Sequence, residues 1–114
     1  MQFSDFKNKT PMHIASENGS LNVLLALISR GAGVDPTDDL EMTPLHLAIE
    51  KNNFACVRSL IELGGDVEQG DAYKRTPIML ACKLGSKETV ELLLKYGANI
   101  MATNNLGDTA MNFA

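Results

Sequence analysis

A short motif recurs along the chain at a constant spacing of 33 residues. Its two most complete copies read TPMHIA at 10–15 and TPLHLA at 43–48. Other residues keep the same spacing: the threonines Thr10, Thr43, Thr76 and Thr109, the glycines Gly31, Gly64 and Gly97, and the polar residues Asp5, Asp38, Asp71 and Asn104. A repeat of this length is typical of stacked units that cannot bury their apolar surfaces alone. The chain is therefore predicted to fold as a tandem array.

Each unit is predicted to contain two short helices. In the second unit Thr43 suits the N-cap and Pro44 the first helical position, where a missing N–H has no consequence. Asn52 and Gly19 tolerate the left-handed backbone that ends a helix. The second helix of the first unit, around LNVLLALIS, is apolar on two sides, as expected for a helix packed between neighbours.

The period and the motif resemble the ankyrin repeat, and VELLLKYGANI at 90–100 is similar to the second helix and turn of that family. The resemblance implies an all-α solenoid of stacked helix-turn-helix units joined by β-hairpin-like fingers. It implies one array over 1–114, with repeats at about 5–37, 38–70 and 71–103 and a partial repeat at 104–114. Met79 departs from the family, which prefers His there. Neither end carries a polar capping repeat, so we expect a fragment of a longer array or of a larger protein, whose exposed ends can self-associate.

Composition narrows the classes of function. Apolar residues make up 45% of the chain and charged residues 21%, which fits a packed domain. The net charge of −4 gives no basic footprint for direct nucleic-acid binding, and no apolar run is long enough for membrane insertion. The first residues do not resemble a signal peptide, and the two cysteines fit a reducing compartment. A cytoplasmic or nuclear location is expected.

The candidate catalytic and metal-binding residues favour structural roles. A catalytic site needs a nucleophile beside an oriented base, but Thr43 suits a cap, and the motif that holds His46 occurs twice. The ankyrin resemblance implies that His13 and His46 hydrogen-bond to the backbone and tie neighbouring turns together. Cys56 and Cys82 fall at helical positions predicted to be buried or half-buried, and with the histidines they show no metal-ligand spacing. The acidic stretch 35–41 lacks the order of a calcium loop and is interpreted as a solvated hairpin. We expect no enzyme activity, metal or cofactor.

Partner-binding residues follow from the resemblance, because the family binds proteins or peptides through its finger tips and the groove along its first helices. The predicted finger tips are Phe6, Lys7 and Lys9; Asp39, Leu40 and Met42; Ala72, Tyr73 and Arg75; and Asn105, Leu106 and Asp108. The predicted groove residues are Glu17, Asn18, Glu50, Lys51, Lys83 and Leu84. Apolar residues in a row along the tips indicate an interface, and Tyr and Arg are enriched in binding hot spots. The alternative is that these side chains fold back over the hairpins.

Charge is distributed unevenly along the predicted units. Unit two has two basic and seven acidic residues, net −5, whereas unit three has five basic and three acidic residues, net +2. A partner that crosses both units meets charges of opposite sign, which sets its register more than its affinity. The sequence predicts a non-catalytic protein-interaction module. The alternative function is a structural spacer within a longer array, in contact with neighbouring repeats.

Overall fold

The computed structural model describes residues 8–109, and this range contains six helices and no strand. The helices are α1 (Pro11–Asn18), α2 (Leu21–Ser29), α3 (Pro44–Glu50), α4 (Phe54–Glu62), α5 (Pro77–Leu84) and α6 (Lys87–Lys95). Within each consecutive pair the two helices pack together. The first helices, α1, α3 and α5, pack on one another and form the first row, and α2, α4 and α6 form the second row. The all-α solenoid predicted from the sequence is confirmed.

The recurring threonine and histidine start the first-row helices. The side-chain oxygen of Thr43 accepts a hydrogen bond from the backbone N–H of His46 at 3.3 Å, and the backbone N–H of Thr43 donates to His46 Nδ1 at 3.1 Å. Thr10 and His13 make the same reciprocal pair at the start of α1. Two backbone N–H groups without partners in the helix are satisfied in this way, so the N-capping role predicted for Thr43 is confirmed.

The core lies between the two rows. Leu45 of α3, Leu60 of α4 and Leu93 of α6 have no exposed surface, and α3 is buried along Pro44–Ile49 because units pack on both of its sides. The second row is less covered at its two ends. Val23 of α2 is 51% exposed and Leu94 of α6 is 46% exposed. The side chains at the same registers of the middle unit, Cys56 and Ile61, are only 1% and 2% exposed.

An asparagine from the second unit ties that unit to the end of α1. Asn53 Nδ2 donates to the backbone oxygens of Ser16 at 2.8 Å and Glu17 at 3.0 Å. Gly19, which ends α1 with a φ of 72°, lies against this amide: a Cβ on Gly19 would be 2.9 Å from Asn53 Oδ1. Gly85 ends α5 in the same conformation, with a φ of 74°, but a Cβ there would meet no atom within 4 Å.

We expect Gly19→Ala to destabilise the chain by about 2 to 3 kcal/mol and Gly85→Ala by only about 1 kcal/mol, the general penalty of a left-handed residue that carries a Cβ. Both variants carry the same backbone strain, and Gly19→Ala must in addition displace the Asn53 amide. Urea unfolding followed by circular dichroism measures the difference. Equal losses would mean that the contact with Asn53 does not matter.

Candidate partner-binding surface

Three hairpin-like turns lie just before α3, just before α5 and after α6. In each turn one polar side chain hydrogen-bonds to the backbone and fixes its course. We call residues 38–42, 71–75 and 104–108 fingers two, three and four. Asp38 Oδ1 accepts from the backbone N–H groups of Leu40 and Met42, both at 2.9 Å. Asp71 Oδ1 and Asn104 Oδ1 accept the corresponding pairs of N–H groups in fingers three and four, at 2.8–3.0 Å. The polar residue at the start of each finger therefore fixes the backbone that follows.

The fingers are also bonded to one another. The backbone N–H of Ala72 donates to the oxygen of Leu40 at 2.8 Å, and that of Asn105 donates to the oxygen of Tyr73 at 3.0 Å. Asn8 further donates to the carboxylate of Asp39. These bonds place the residues that follow the shaping side chains in one line, so the surface of the fingers is continuous from unit to unit.

The prediction that the acidic stretch 35–41 is a solvated hairpin is wrong for two of its residues. Asp38 is only 8% exposed, because its carboxylate is occupied by the finger backbone. Asp35 is half-buried and accepts from the backbone N–H of Asp66 at 3.1 Å, and burial raises its pKa. Asp39 and Glu41 are exposed as expected.

The two histidines connect each unit to the next finger. His13 Nε2 lies 2.7 Å from the backbone oxygen of Met42, and His46 Nε2 lies 2.9 Å from that of Arg75. Since Nδ1 of His46 accepts from the Thr43 N–H, Nε2 carries the proton and donates. Both ring nitrogens are used and neither imidazole has exposed surface, so the bracing role implied by the family resemblance is confirmed for both residues.

Stability is expected to fall as the pH drops below about 6.5. Burial lowers the pKa of His46 from 6.5, although the hydrogen bond to Arg75 opposes this shift. Below pH 6.5 the unfolded chain binds a proton that the folded chain binds less readily, so stability is lost until the pH reaches the folded-state pKa. Urea unfolding at pH 7.5 and 5.5 tests this, with His46→Met as the comparison. An equal pH dependence in both chains would contradict it.

The third unit lacks the histidine bridge, because Met79 occupies that position. The side-chain oxygen of Thr76 is buried and has no hydrogen-bond partner, in contrast to that of Thr43. We expect Met79→His to stabilise the chain by about 1 kcal/mol, because the imidazole supplies the missing bonds to Thr76 and reaches the backbone of Asp108. Thermal unfolding measures the gain. In the double variant with Thr76→Val the gain should shrink, and an unchanged gain would show that the hydroxyl is not involved.

The finger residues predicted to bind a partner differ in exposure. Tyr73 is 52% exposed and Leu106 is 84% exposed. Met42, predicted to stand out from finger two, is 4% exposed and belongs to the core, so that expectation is wrong. The side chain before an N-cap commonly packs against the first turn of its helix, and Met42 precedes Thr43. Leu40 is half-buried and packs partly against the core. Phe6 and Lys7 lie outside the described residues.

Six of the predicted residues come together around one groove, which we call the finger groove. It has a volume of about 320 Å³ and lies between fingers three and four and α5. Met79 and Leu80 form its buried floor. The predicted residues that line it are Tyr73, Arg75, Lys83, Asn105, Leu106 and Asp108.

The aromatic and basic side chains of finger three are held in place. Arg75 Nε donates to Asp71 Oδ2 at 2.7 Å, and the guanidinium lies 5.1 Å from the centre of the Tyr73 ring. The carboxylate of Asp71 is fully buried, whereas the side chain of Arg75 keeps 29% of its surface exposed. Because Asp71 and Tyr73 restrict the guanidinium, Arg75 presents a rigid edge to the groove.

The remaining residues that were predicted on the first helices lie along the first row but do not line the finger groove. Asn18, Glu50 and Lys51 are exposed at the ends of their helices. Leu84 is 48% exposed and borders a different depression, near the turn between α5 and α6. Glu17 is half-buried and forms an ion pair with Lys9 at 3.2 Å, so its carboxylate is partly occupied.

Sequence reasoning missed the residues that shape the surface. Asp38, Asp71 and Asn104 were recognised only as a shared register, and their 33-residue spacing was the available signal. Nothing in the sequence indicated that Met79 and Leu80 would form the floor of the groove, because both occupy registers that are typical of ordinary core residues. Burial raises the thiol pKa of both Cys56 and Cys82, which favours inert thiols.

Stacked helix pairs joined by hydrogen-bonded fingers define a class of protein, the α-helical repeat proteins. A family model described as "Ankyrin repeats (3 copies)" matches residues 12–104, and the chain belongs to the ankyrin repeat family. No curated protein matches the chain as a relative. Proteins of this family generally mediate protein–protein interactions. Within residues 8–109, no helix is long and apolar enough to span a membrane. The single-array organisation and the repeat boundaries stay predictions.

Proposed function

We propose that this chain is a non-catalytic module that binds a protein or peptide through its fingers and the adjoining surface of the first row. The observation that carries the proposal is the alignment of Tyr73 and Leu106 on neighbouring, hydrogen-bonded fingers. Both side chains are more than half exposed, and together they border a groove with an apolar floor. Exposed apolar groups in a row beside a groove support an interface rather than a solvated turn.

The histidines support the non-catalytic part of the proposal. His13 and His46 use their ring nitrogens for the caps and for the bonds to the next finger, and both are buried. A general base has to reach its substrate, either directly or through one water molecule. The ring nitrogens of His13 and His46 are therefore already used in hydrogen bonds that hold the fingers in place.

The test compares two double variants in affinity capture from lysate. Tyr73→Ser/Leu106→Ser removes the apolar groups of the fingers, and Leu25→Ser/Leu63→Ser removes two apolar groups of the second row that are 41% and 48% exposed. We expect the first variant to lose the captured proteins and the second to retain them, with helical circular dichroism unchanged in both. Retention by the finger variant would overturn the proposal.

The end faces of the second row favour a second candidate function, that of a spacer that contacts neighbouring repeats or another copy. Val23 and Leu94 are exposed at registers that the middle unit buries. Packing of another repeat on these faces would cover them. Sedimentation velocity over a range of concentrations tests self-association: Val23→Asp or Leu94→Asp should abolish it, whereas the finger variant should leave it unchanged.

A further inference from the structure

One position of the first-row helices changes its charge between neighbouring units. Glu17, Glu50 and Lys83 occupy the same register of α1, α3 and α5. Glu17 is engaged by Lys9. Glu50 and Lys83 are exposed, and within residues 8–109 neither is in an ion pair. Since α3 and α5 pack directly together, a free carboxylate and a free ammonium lie on neighbouring helices.

The finger groove adjoins the basic member of this pair. Lys83 lines the groove from α5, while Asp108 lines it from finger four. The guanidinium of Arg75 is already bound to Asp71, so Lys83 is the cation left for a bound molecule among the described residues of the groove. A carboxylate that enters the groove would be attracted to the α5 side and repelled from the side of Asp108.

The size and floor of the groove restrict what enters between these charges. Its volume of 320 Å³ lies at the lower end of the usual range for binding pockets, about 300–1,000 Å³. Met79, Leu80, Tyr73 and Leu106 give it an apolar surface. An apolar side chain of a partner fits this space better than a charged or extended ligand, because no charged group lies on the floor.

We propose that the partner presents an apolar anchor residue followed, on one side, by an acidic residue and then, further from the anchor, by a basic residue. The anchor occupies the finger groove, the acidic residue pairs with Lys83, and the basic residue pairs with Glu50. This inference rests on the proposed function. Because complementary charges suppress the reversed arrangement, the segment binds in one direction only.

A display library of short peptides tests the direction. Each peptide has a central Leu and randomised flanks, and the library is selected on the immobilised 114-residue chain. We expect the retained peptides to carry, on one side of the Leu, an acidic residue and then a basic residue further away, in a single direction. The double variant Glu50→Lys/Lys83→Glu keeps the net charge and should select the reversed order. It should also bind the original peptides about tenfold more weakly at low salt.

The control is Glu62→Lys/Lys95→Glu, which exchanges charges at one shared register of the second row, on exposed residues of α4 and α6. It also removes the exposed ion pair between Glu62 and Arg58, and neither residue lines the finger groove. It should select the same order as the wild-type chain. Circular dichroism checks that both double variants are folded.

The possible failures are distinguishable. If Tyr73→Ser/Leu106→Ser retains the peptides as well as the wild-type chain does, or if no peptide is retained, the proposed binding surface is wrong. If peptides are retained through the fingers without a charge order, or with an order that the exchange of Glu50 and Lys83 does not reverse, the surface stands and the directional inference is overturned.

Discussion

Replacing Asp71 by Ala is expected to lower the free energy of unfolding by about 3 kcal/mol, because the change leaves three hydrogen-bond donors without an acceptor. The buried carboxylate accepts from the backbone N–H groups of Tyr73 and Arg75 and from the guanidinium of Arg75. Its loss should also release Arg75 from its position beside the Tyr73 ring. Urea unfolding followed by circular dichroism measures the loss of stability.

The control for this prediction is Asp71→Asn. In finger four Asn104 already fills the same register, and its Oδ1 accepts from two backbone N–H groups as a carboxylate oxygen does. Asp71→Asn should therefore keep the finger backbone and lose only the charge that faces Arg75, with a loss of about 1 kcal/mol. Equal losses for the Ala and Asn variants would place the effect in the ion pair and not in the finger backbone.

Replacing His46 by Ala is the second change with a large expected effect, also about 3 kcal/mol, because it combines a cavity with lost hydrogen bonds. The imidazole is fully buried and connects the Thr43 N–H at the start of α3 to the backbone oxygen of Arg75 in finger three. Its removal should loosen the second unit from the third. Hydrogen exchange of the finger-three amides should increase together with the global loss of stability.

His46→Met separates the two contributions. The chain itself places Met79 at this register in a buried site, so a methionine is compatible with the packing there. We expect His46→Met to cost about half as much as His46→Ala, because it refills the volume but leaves the hydrogen bonds unmade. A Met variant as stable as the wild-type chain would mean that the bridge to finger three contributes little.

Much of the fold could be predicted from the sequence because the same pattern of residues occurs in several successive units. The 33-residue spacing fixes the pairing of helices, and the Thr-Pro start of each first-row helix has a local physical cause in its cap. The hydrogen bonds from the two histidines to the next finger could be predicted only from the family resemblance, because their acceptors lie 29 residues away in the chain. No local rule connects residues at that separation.

The surface was less predictable than the fold, and finger two shows why. Met42 shares its register with Arg75 and Asp108, whose polar side chains indicate exposure. The backbone at this register allows a side chain either to enter the core or to run along the finger, and the chemistry of each residue decides. Methionine goes inward, whereas Arg75 turns toward Asp71 and Tyr73. A repeat therefore predicts backbone positions better than it predicts side-chain directions.

The way each finger is shaped has a consequence for how such a chain changes over generations. A single oxygen at the first position of each finger holds two backbone N–H groups, so the backbone of the finger does not depend on which side chain stands at the tip. The tips already carry leucine at Leu40 and Leu106 and tyrosine at Tyr73, on backbones held by the same hydrogen bonds. Mutation can therefore exchange the exposed tip residues Tyr73 and Leu106 with little effect on folding, and duplication of a unit would add one more tip to the row.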